Sequence, residues 1–365
     1  MSPAPDAAVP APAPAPAAPA GVVRAARTPW FDLTECAGHR TVRRTDDGTD
    51  GGALAGDAPM TLGTYHDLAS VTKVVATTTA LIRLVSDRLV DLDERAGAYL
   101  PAGCPEQVSV RDLLLHRAGL WEWWPMYLDP RVPAPRYPPG RERHYSDLGF
   151  ILLGRVVETV TGTSLDRAVA ELVTGPLGLD DTTYARPAGP EVAMSALDDR
   201  VEMRMLDTSE PYPVPFRAAD FAGWRRGPVL GQVADGNAYH AFGGVSGHAG
   251  LFSTVPDLLR YATALSRYEE HDRLWRPEVA REFFRPGPDP GQALGFRTYE
   301  LVLRDETVTV LGHPGYVGCV VGFVPGRDVA IALASNRLLT PGVPTPTDAL
   351  WTGLLQAITH RSRTA

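Results

Sequence analysis

Ser70 and Lys73 are the first residues in this chain whose types and spacing fit a reaction. They lie in the sequence D-L-A-S-V-T-K at residues 67–73, and an apolar run follows. Because they are three positions apart, they share one face of a helix. A hydroxyl and an amine held that way form a nucleophile–base pair for acyl transfer. The alternative is a helix start in which Ser70 caps and Lys73 is a solvated surface charge.

A second group of candidate residues lies in the sequence R-H-Y-S-D-L-G-F at residues 143–150. Tyr145 stands where a loop meets a helix that Ser146 or Asp147 can cap. The alternative is that Tyr145 only packs, while Asp147 only complements the helix dipole. Taken alone, this stretch leaves both interpretations open.

A third group lies between β-rich segments, in the sequence L-G-H-P-G-Y-V-G at residues 311–318. Gly315 and Gly318 would let the backbone approach another group closely. Pro314 has no N–H, which favours a strand at a sheet edge or along a cleft. The alternative is a β-turn in which His313 is incidental.

The composition indicates which class of protein carries these residues. The 365 residues are 44% hydrophobic and 21% charged, which is ordinary for a globular protein of one large domain or two packed ones. A net charge of −8 and unclustered Lys and Arg argue against nucleic-acid binding. Cys36, Cys104 and Cys319 are far apart and follow no metal-binding spacing, so we expect buried thiols, with neither a disulfide framework nor a metal.

Residues 1–20 are almost entirely Ala and Pro, so we expect a disordered or semi-rigid tail. They do not have the basic and apolar regions of a secretory signal. The sequence contains no run of about eighteen apolar residues, which predicts no membrane span. These features predict a cytoplasmic protein.

Strand-like segments stand at both ends of the folded chain. We predict an α/β fold in which residues of about 21–60 and 295–365 build an antiparallel sheet, with helices against it. A helical region of about 95–290 is inserted between them, and residues 21–365 form one domain. Helices are predicted over 109–116, 146–161, 164–173 and 256–266, and at the C-terminal end over 346–360.

Together and in this order, the three motifs resemble those of the penicillin-binding-protein-like serine hydrolases, and most closely the branch of class C β-lactamases and esterases. In that family they usually read S-x-x-K, Y-x-N and K-T-G or H-x-G. Flanking stretches at 110–120, 176–182 and 243–254 match in the same order, and the resemblance covers roughly residues 60–340. It implies a β-lactamase/transpeptidase-like fold.

The resemblance also implies roles for individual residues. Ser70 would be the acylated nucleophile, and Lys73 would lower the cost of deprotonating it. Tyr145 would serve as general base and acid between the nucleophile and the leaving group. The backbone N–H groups of Ser70 and Tyr316 would form the oxyanion hole, and His313 would line the cleft opposite the helix.

Two positions depart from the family pattern. Asp147 stands where Asn is usual, and His313 stands where β-lactamases commonly have Lys. If Asp147 faces Lys73, its charge keeps the amine protonated and raises its pKa. A protonated Lys73 is a poor base, although it stabilises a Tyr145 phenolate. Our hypothesis is therefore that Tyr145 is the proton acceptor.

The same departures bear on the substrate. A neutral His313 and an additional Asp147 should disfavour a bound anion by about 1–2 kcal/mol, which favours a neutral ester or amide. An arginine such as Arg141 or Arg143 would restore anion binding. In this resemblance the segment with Trp121, Trp123 and Trp124 borders the cleft. These rings form either an aromatic wall for substrate or a satellite core under a loop.

The sequence thus predicts a serine hydrolase that acts through an acyl-Ser70 intermediate, without a cofactor, on a small-molecule ester or amide. An esterase is the preferred interpretation. An acyltransferase would use the same site, a β-lactamase or D-Ala-D-Ala peptidase would need an anion site, and a metal hydrolase would need ligands that the sequence does not suggest. A non-catalytic binding module would have no need of Ser70, Lys73 and Tyr145 together.

Overall fold

A six-stranded antiparallel sheet joins the two ends of the chain in this computed structural model, which describes residues 16–44, 54–100, 104–185, 187, 191–340 and 343–364. Its strands are β1 (Gly21–Arg27), β2 (Asp32–Gly38), β9 (Arg297–Leu303), β10 (Glu306–Pro314), β11 (Val320–Val324) and β12 (Val329–Ser335). The strand order is β2-β1-β12-β11-β10-β9. The first strand pairs with the last one, so the two ends of the fold lie side by side in one sheet.

The remaining strands form three short antiparallel pairs. They are β3 (Val42–Arg44) with β4 (Leu54–Gly56), β5 (His66–Asp67) with β8 (Phe252–Ser253), and β6 (Met194–Ala196) with β7 (Val229–Leu230).

The helices of the described chain lie mainly between the two groups of sheet strands. They are α1 (Thr79–Ser86), α2 (Val110–Leu114), α3 (Asp147–Thr161), α4 (Leu165–Val169), α5 (Gly175–Leu177), α6 (Arg200–Thr208), α7 (Val255–Ser266), α8 (Pro277–Phe284) and α9 (Thr347–Ser362).

Helices cover both faces of the sheet because its central strands are apolar on both sides. In β12, three alanines face the large core that includes α7, and their small size lets the helix approach the sheet. Val329, Ile331 and Leu333 alternate with them and pack with Trp351 and Ile358 of α9 on the opposite face. The predicted fold class is confirmed.

The C-terminal end of the Ala/Pro tail contacts the fold. Residues 1–15 lie outside the described part of the chain. Ala17, however, donates its N–H to Val343 O at 2.8 Å and accepts from the N–H of Thr345 at 3.1 Å. The end of the tail that the sequence predicts to be disordered or semi-rigid is therefore held at Ala17 by backbone hydrogen bonds to residues 343–345.

Among the described residues, no single helix is long and apolar enough to cross a membrane. One pair, Asp147–Thr161 with Leu165–Leu177, meets the criteria of length and composition when taken together, with a bend of 78° between the two helices.

Candidate active site

Ser70 lies in a 3₁₀ turn, Ala69–Val71, directly before the helical segments Lys73–Thr78 and Thr79–Ser86. Ala69, just before it, has a φ of 45°, where an alanine is strained. The Asp67 carboxylate offsets this strain by accepting the N–H of Ala69 at 2.9 Å, and it accepts the N–H of Ala234 at 2.6 Å. Burial raises the pKa of Asp67 to about 6. Asp67 thus ties the Ser70 turn to a distant loop.

Lys73 is fully buried beneath Ser70, and its ammonium has three partners. Lys73 Nζ donates to Ser70 Oγ at 2.8 Å and to the backbone oxygen of His248 at 3.1 Å. It also forms an ion pair with Asp147 Oδ1 at 2.8 Å. The predicted pairing of Asp147 with Lys73 is therefore present in the structure.

The electrostatics of this pocket keep Lys73 charged. Burial by itself would lower the pKa of Lys73, but the Asp147 charge and then Tyr145 raise it well above its ordinary value. An ammonium has no lone pair; here two of its N–H groups donate to Ser70 Oγ and His248 O, and its charge pairs with Asp147. Lys73 therefore has no free lone pair with which to accept the Ser70 proton.

Tyr145 completes the group around the Ser70 hydroxyl. Its own hydroxyl donates to Ser70 Oγ at 3.1 Å, and its ring centroid lies 4.6 Å from that of His116. The start of α3 places it: Ser146 donates its N–H to His116 Nδ1 at 3.0 Å and its hydroxyl to Trp121 O at 2.6 Å. Tyr145 thus places a phenol oxygen within hydrogen-bond reach of the Ser70 hydroxyl.

His313 lies on β10 across the cleft from Lys73, and its neutral form is favoured. Burial, followed by the charges of Lys73 and Arg297, holds the pKa of His313 well below its usual range. His313 Nδ1 lies 2.8 Å from Pro314 O, and a carbonyl can only accept. The hydrogen is therefore on Nδ1, so Nε2 presents a lone pair.

Gly315 brings the end of β10 against the Ser70 turn. A Cβ added there would lie 2.3 Å from the backbone oxygen of Leu68, so any side chain would force the two segments apart. Arg337 then donates Nε–H to the backbone oxygen of Tyr316 at 2.7 Å, which orients this peptide segment. This close approach is what an oxyanion hole shared by Ser70 and Tyr316 requires.

We expect Gly315→Ala to lower kcat/KM at least about tenfold, because separating the two oxyanion donors weakens stabilisation of the transition state. The overlap with Leu68 should also cost about 1–3 kcal/mol of unfolding free energy. Ester hydrolysis and urea denaturation measure the two effects. Gly353→Ala is the control, because a Cβ at Gly353 meets no atom within 4 Å. Wild-type kinetics for Gly315→Ala would contradict the proposed oxyanion geometry.

A cleft of about 890 Å³ opens over Ser70, Tyr145, Asp147 and His313. Trp123 is the tryptophan that lines it. The rings of Trp121 and Trp124 pack on each other at 5.3 Å and are not among the lining residues, so for these two the structure favours the alternative of a satellite core under the loop. Large rings in a Pro-rich loop are buried to cover apolar surface, and the sequence does not show which of them faces outward.

Arg297 is a residue of the cleft that the sequence interpretation missed. It begins β9 opposite Gly312, and its guanidinium carbon lies 5.5 Å from the Tyr145 ring centroid. In the described part of the chain its buried Nε has no hydrogen-bond partner. Arg143, an arginine suggested from the sequence, instead donates to Gln292 Oε1 at 2.9 Å. In the sequence, the one feature that could have indicated Arg297 is its position as a cation at the start of the strand that precedes the third motif.

Asp147, Asp235 and His248 offer oxygen and nitrogen atoms within 4.8 Å of one another, close enough to hold a cation. The Lys73 ammonium already supplies that cation: it pairs with Asp147, and its charge lowers the pKa of Asp235. We therefore assign no metal to this group.

Sequence comparison with known proteins identifies the family of this chain. The Beta-lactamase family model matches residues 39–352. A putative D-alanyl-D-alanine carboxypeptidase of Escherichia coli (strain K12) is 30% identical over 321 residues, covering 77% of this chain and 71% of that protein.

Solved structures share the fold at lower sequence identity. The octameric penicillin-binding protein homologue from Pyrococcus abyssi has a TM-score of 0.64 at 18% identity and covers 93% of this chain and 74% of its own. EstCE1, described as a hydrolase with promiscuous acyltransferase activity, has a TM-score of 0.62 at 18% identity, with coverage of 95% and 94%. The chain therefore belongs to the beta-lactamase family and is a serine hydrolase.

Proposed function

We propose that this serine hydrolase cleaves esters through an acyl intermediate on Ser70, with Tyr145 as the proton acceptor. One observation carries the proposal: Ser70 Oγ lies 2.8 Å from the Lys73 ammonium and 3.1 Å from the Tyr145 hydroxyl, at a cleft. A nucleophile within hydrogen-bond reach of a base, with a fixed cation beside both, is the arrangement that acyl transfer needs.

Tyr145 first loses its hydroxyl proton to solvent; in the acylation step, Ser70 Oγ then attacks the substrate carbonyl while its proton passes to the Tyr145 phenolate. The backbone N–H groups of Ser70 and Tyr316 hold the resulting oxyanion. When the tetrahedral intermediate collapses, the bond to the leaving alcohol breaks and Tyr145 returns the proton to the alcohol oxygen. Lys73 keeps its positive charge throughout and stabilises the phenolate.

Deacylation repeats the same transfers with water. Tyr145 takes a proton from the water, the hydroxyl attacks the acyl carbon, and Tyr145 returns the proton to Ser70 as the acid leaves. An alcohol in place of water would give acyl transfer at the same residues. The ratio of acid to transferred ester, measured with added methanol, therefore reports which acceptor the cleft favours.

The charges in the cleft support a neutral substrate. His313 is held neutral, and Asp147 adds an anion beside the nucleophile. The cleft wall also contains Asp198, Glu210 and Asp348. A substrate carboxylate bound near these acidic groups, and away from the arginines that line the same cleft, would meet repulsion. A neutral ester avoids it.

Arg297 favours a second candidate, a peptide substrate with a free carboxylate. Its guanidinium faces the cleft beside Tyr145 and could bind that carboxylate with charged hydrogen bonds. The name of the Escherichia coli relative, putative D-alanyl-D-alanine carboxypeptidase, is consistent with such a substrate.

Arg297→Gln separates these two candidates. For the proposed esterase, we expect kcat on short nitrophenyl esters, measured on the plateau of its pH profile, to change less than about threefold. We expect the wild type to leave a D-Ala-D-Ala peptide and a chromogenic cephalosporin uncleaved. Rapid peptide turnover that falls at least about tenfold in Arg297→Gln, as loss of a charged hydrogen bond requires, would establish the carboxylate-bearing substrate. Arg297→Lys, which keeps the charge, is the matched control.

A further inference from the structure

The loop at residues 246–248 is held at each of its three successive backbone oxygens. Tyr184 Oη donates to Ser246 O at 3.0 Å, and Thr77 Oγ1 donates to Gly247 O at 2.7 Å. The third oxygen, of His248, receives Lys73 Nζ at 3.1 Å. The position of this loop therefore sets where the ammonium of Lys73 lies relative to Ser70.

The His248 side chain anchors the same loop from within. His248 Nδ1 lies 2.8 Å from Ser246 Oγ, and Nε2 lies 2.9 Å from Asp235 Oδ1. These contacts join a serine, a histidine and an aspartate, but Ser246 is only 4% exposed and lies away from the cleft lining, so we do not assign it as a nucleophile. The contacts among Ser246, His248 and Asp235 instead hold the loop at residues 246–248 in place.

Asp235 places a second negative charge near Lys73. Burial would raise the pKa of Asp235, but the charge of His248 and its hydrogen bond, together with Lys73, bring it down to about 2. The carboxylate is thus ionised at neutral pH. It also lines the cleft that contains Ser70, although it touches neither Ser70 nor Tyr145 in the described chain.

We propose that Asp235 is a positioning residue for the Ser70 reaction, which it serves in two ways. Through His248 it fixes the backbone oxygen that receives Lys73, and through its charge it offsets part of the positive charge beside Tyr145. The inference rests on the proposed function, because it assigns Tyr145 as the base whose ionisation Asp235 influences.

Several other ionisable groups lie near Asp235, and a pH measurement must distinguish their titration from the effect of Asp235. Burial, and then the charge of Asp235, raise the pKa of Glu202 to about 8. The charged and titratable groups facing this network from the surrounding elements are Asp67, Lys73, His116, Tyr127, Tyr145, Asp147, Asp199, Glu202, Arg225, His248, Arg297 and His313.

Two substitutions at Asp235 separate its charge from its anchoring contact. Asp235→Asn keeps an oxygen that accepts from His248, so we expect kcat to stay within about threefold of wild type. The acid limb of the kcat/KM profile should move to lower pH by roughly one unit, since removing a nearby negative charge favours the Tyr145 phenolate. Asp235→Ala also removes the anchor, and its kcat plateau should fall at least about tenfold.

The controls address the other groups. Asp198→Asn removes a carboxylate of the same cleft that pairs with Arg200 and not with His248, and we expect it to leave the acid limb in place. The Asp235→Asn shift should persist in a Glu202→Gln background, which excludes titration of Glu202 as its source. Urea denaturation confirms that each variant is folded at assay temperature.

The inference is overturned if folded Asp235→Ala has the wild-type plateau and acid limb, or if Asp198→Asn moves the limb as far as Asp235→Asn. Its failure is distinguishable from that of the proposed function. If the wild type forms no Ser70 adduct, the proposed function itself fails. If it forms the adduct and Asp235→Ala behaves as wild type, only the role of Asp235 is lost.

Discussion

Lys73→Met should reduce kcat for ester hydrolysis at least about 1,000-fold, because the reaction loses the cation that stabilises the Tyr145 phenolate and orients Ser70. The same change should lower the free energy of unfolding by about 3–5 kcal/mol, since Asp147 keeps its charge in a protein site that no longer holds a partner. Steady-state kinetics and urea denaturation measure the two losses separately.

A second substitution separates stability from catalysis at this position. Combining Lys73→Met with Asp147→Asn removes the unpaired charge, so much of the lost stability should return. Turnover should not return, because neither new side chain supplies a cation. If Lys73→Met retains turnover within about tenfold of wild type while folded, the account of Lys73 as a required charge is wrong.

Tyr145→Phe should lower kcat by about 100- to 10,000-fold with little change in KM, because it removes the group that moves the Ser70 proton and leaves the ring in place. The phenyl ring keeps its packing on His116, so we expect unfolding free energy within about 1 kcal/mol of wild type. Single-turnover measurements with a nitrophenyl ester give the acylation rate directly.

Tyr212→Phe is the matched control for this loss. Tyr212 lines the same cleft, but the tyrosine that donates a hydrogen bond to Ser70 is Tyr145. We expect Tyr212→Phe to stay close to wild type. Near-normal turnover of Tyr145→Phe, together with abolished turnover of Lys73→Met, would reassign the proton acceptor to Lys73.

The parts of the site that follow from local spacing were predictable from the sequence. Ser70 and Lys73 are one turn apart, and Ser146 caps α3 as its position predicts. Asp147 in place of Asn indicated an ion pair with Lys73, which the structure contains at 2.8 Å. The order of the three motifs then indicated the family, and the apolar segments at both ends indicated the sheet.

The parts that depend on distant packing were not predictable in the same way. Arg297 reaches the cleft because the register of β9 and β10 places it opposite Gly312. Asp235 reaches Lys73 through His248, and no motif surrounds it. Ala69 has a strained backbone that the S-x-x-K spacing does not reveal. Single residues in loops and at strand ends carry no periodic signal, so only the folded chain brings them together.

Intact-protein mass spectrometry of a quenched reaction with a short nitrophenyl ester tests the central assignment most directly. We expect a mass increase of one acyl group that maps to the peptide containing Ser70, disappears as substrate is consumed, and is absent in Ser70→Ala. Tyr145→Phe should form this adduct at least about 100-fold more slowly. Full turnover by Ser70→Ala, or an acyl group on another residue of the wild type, would contradict the account.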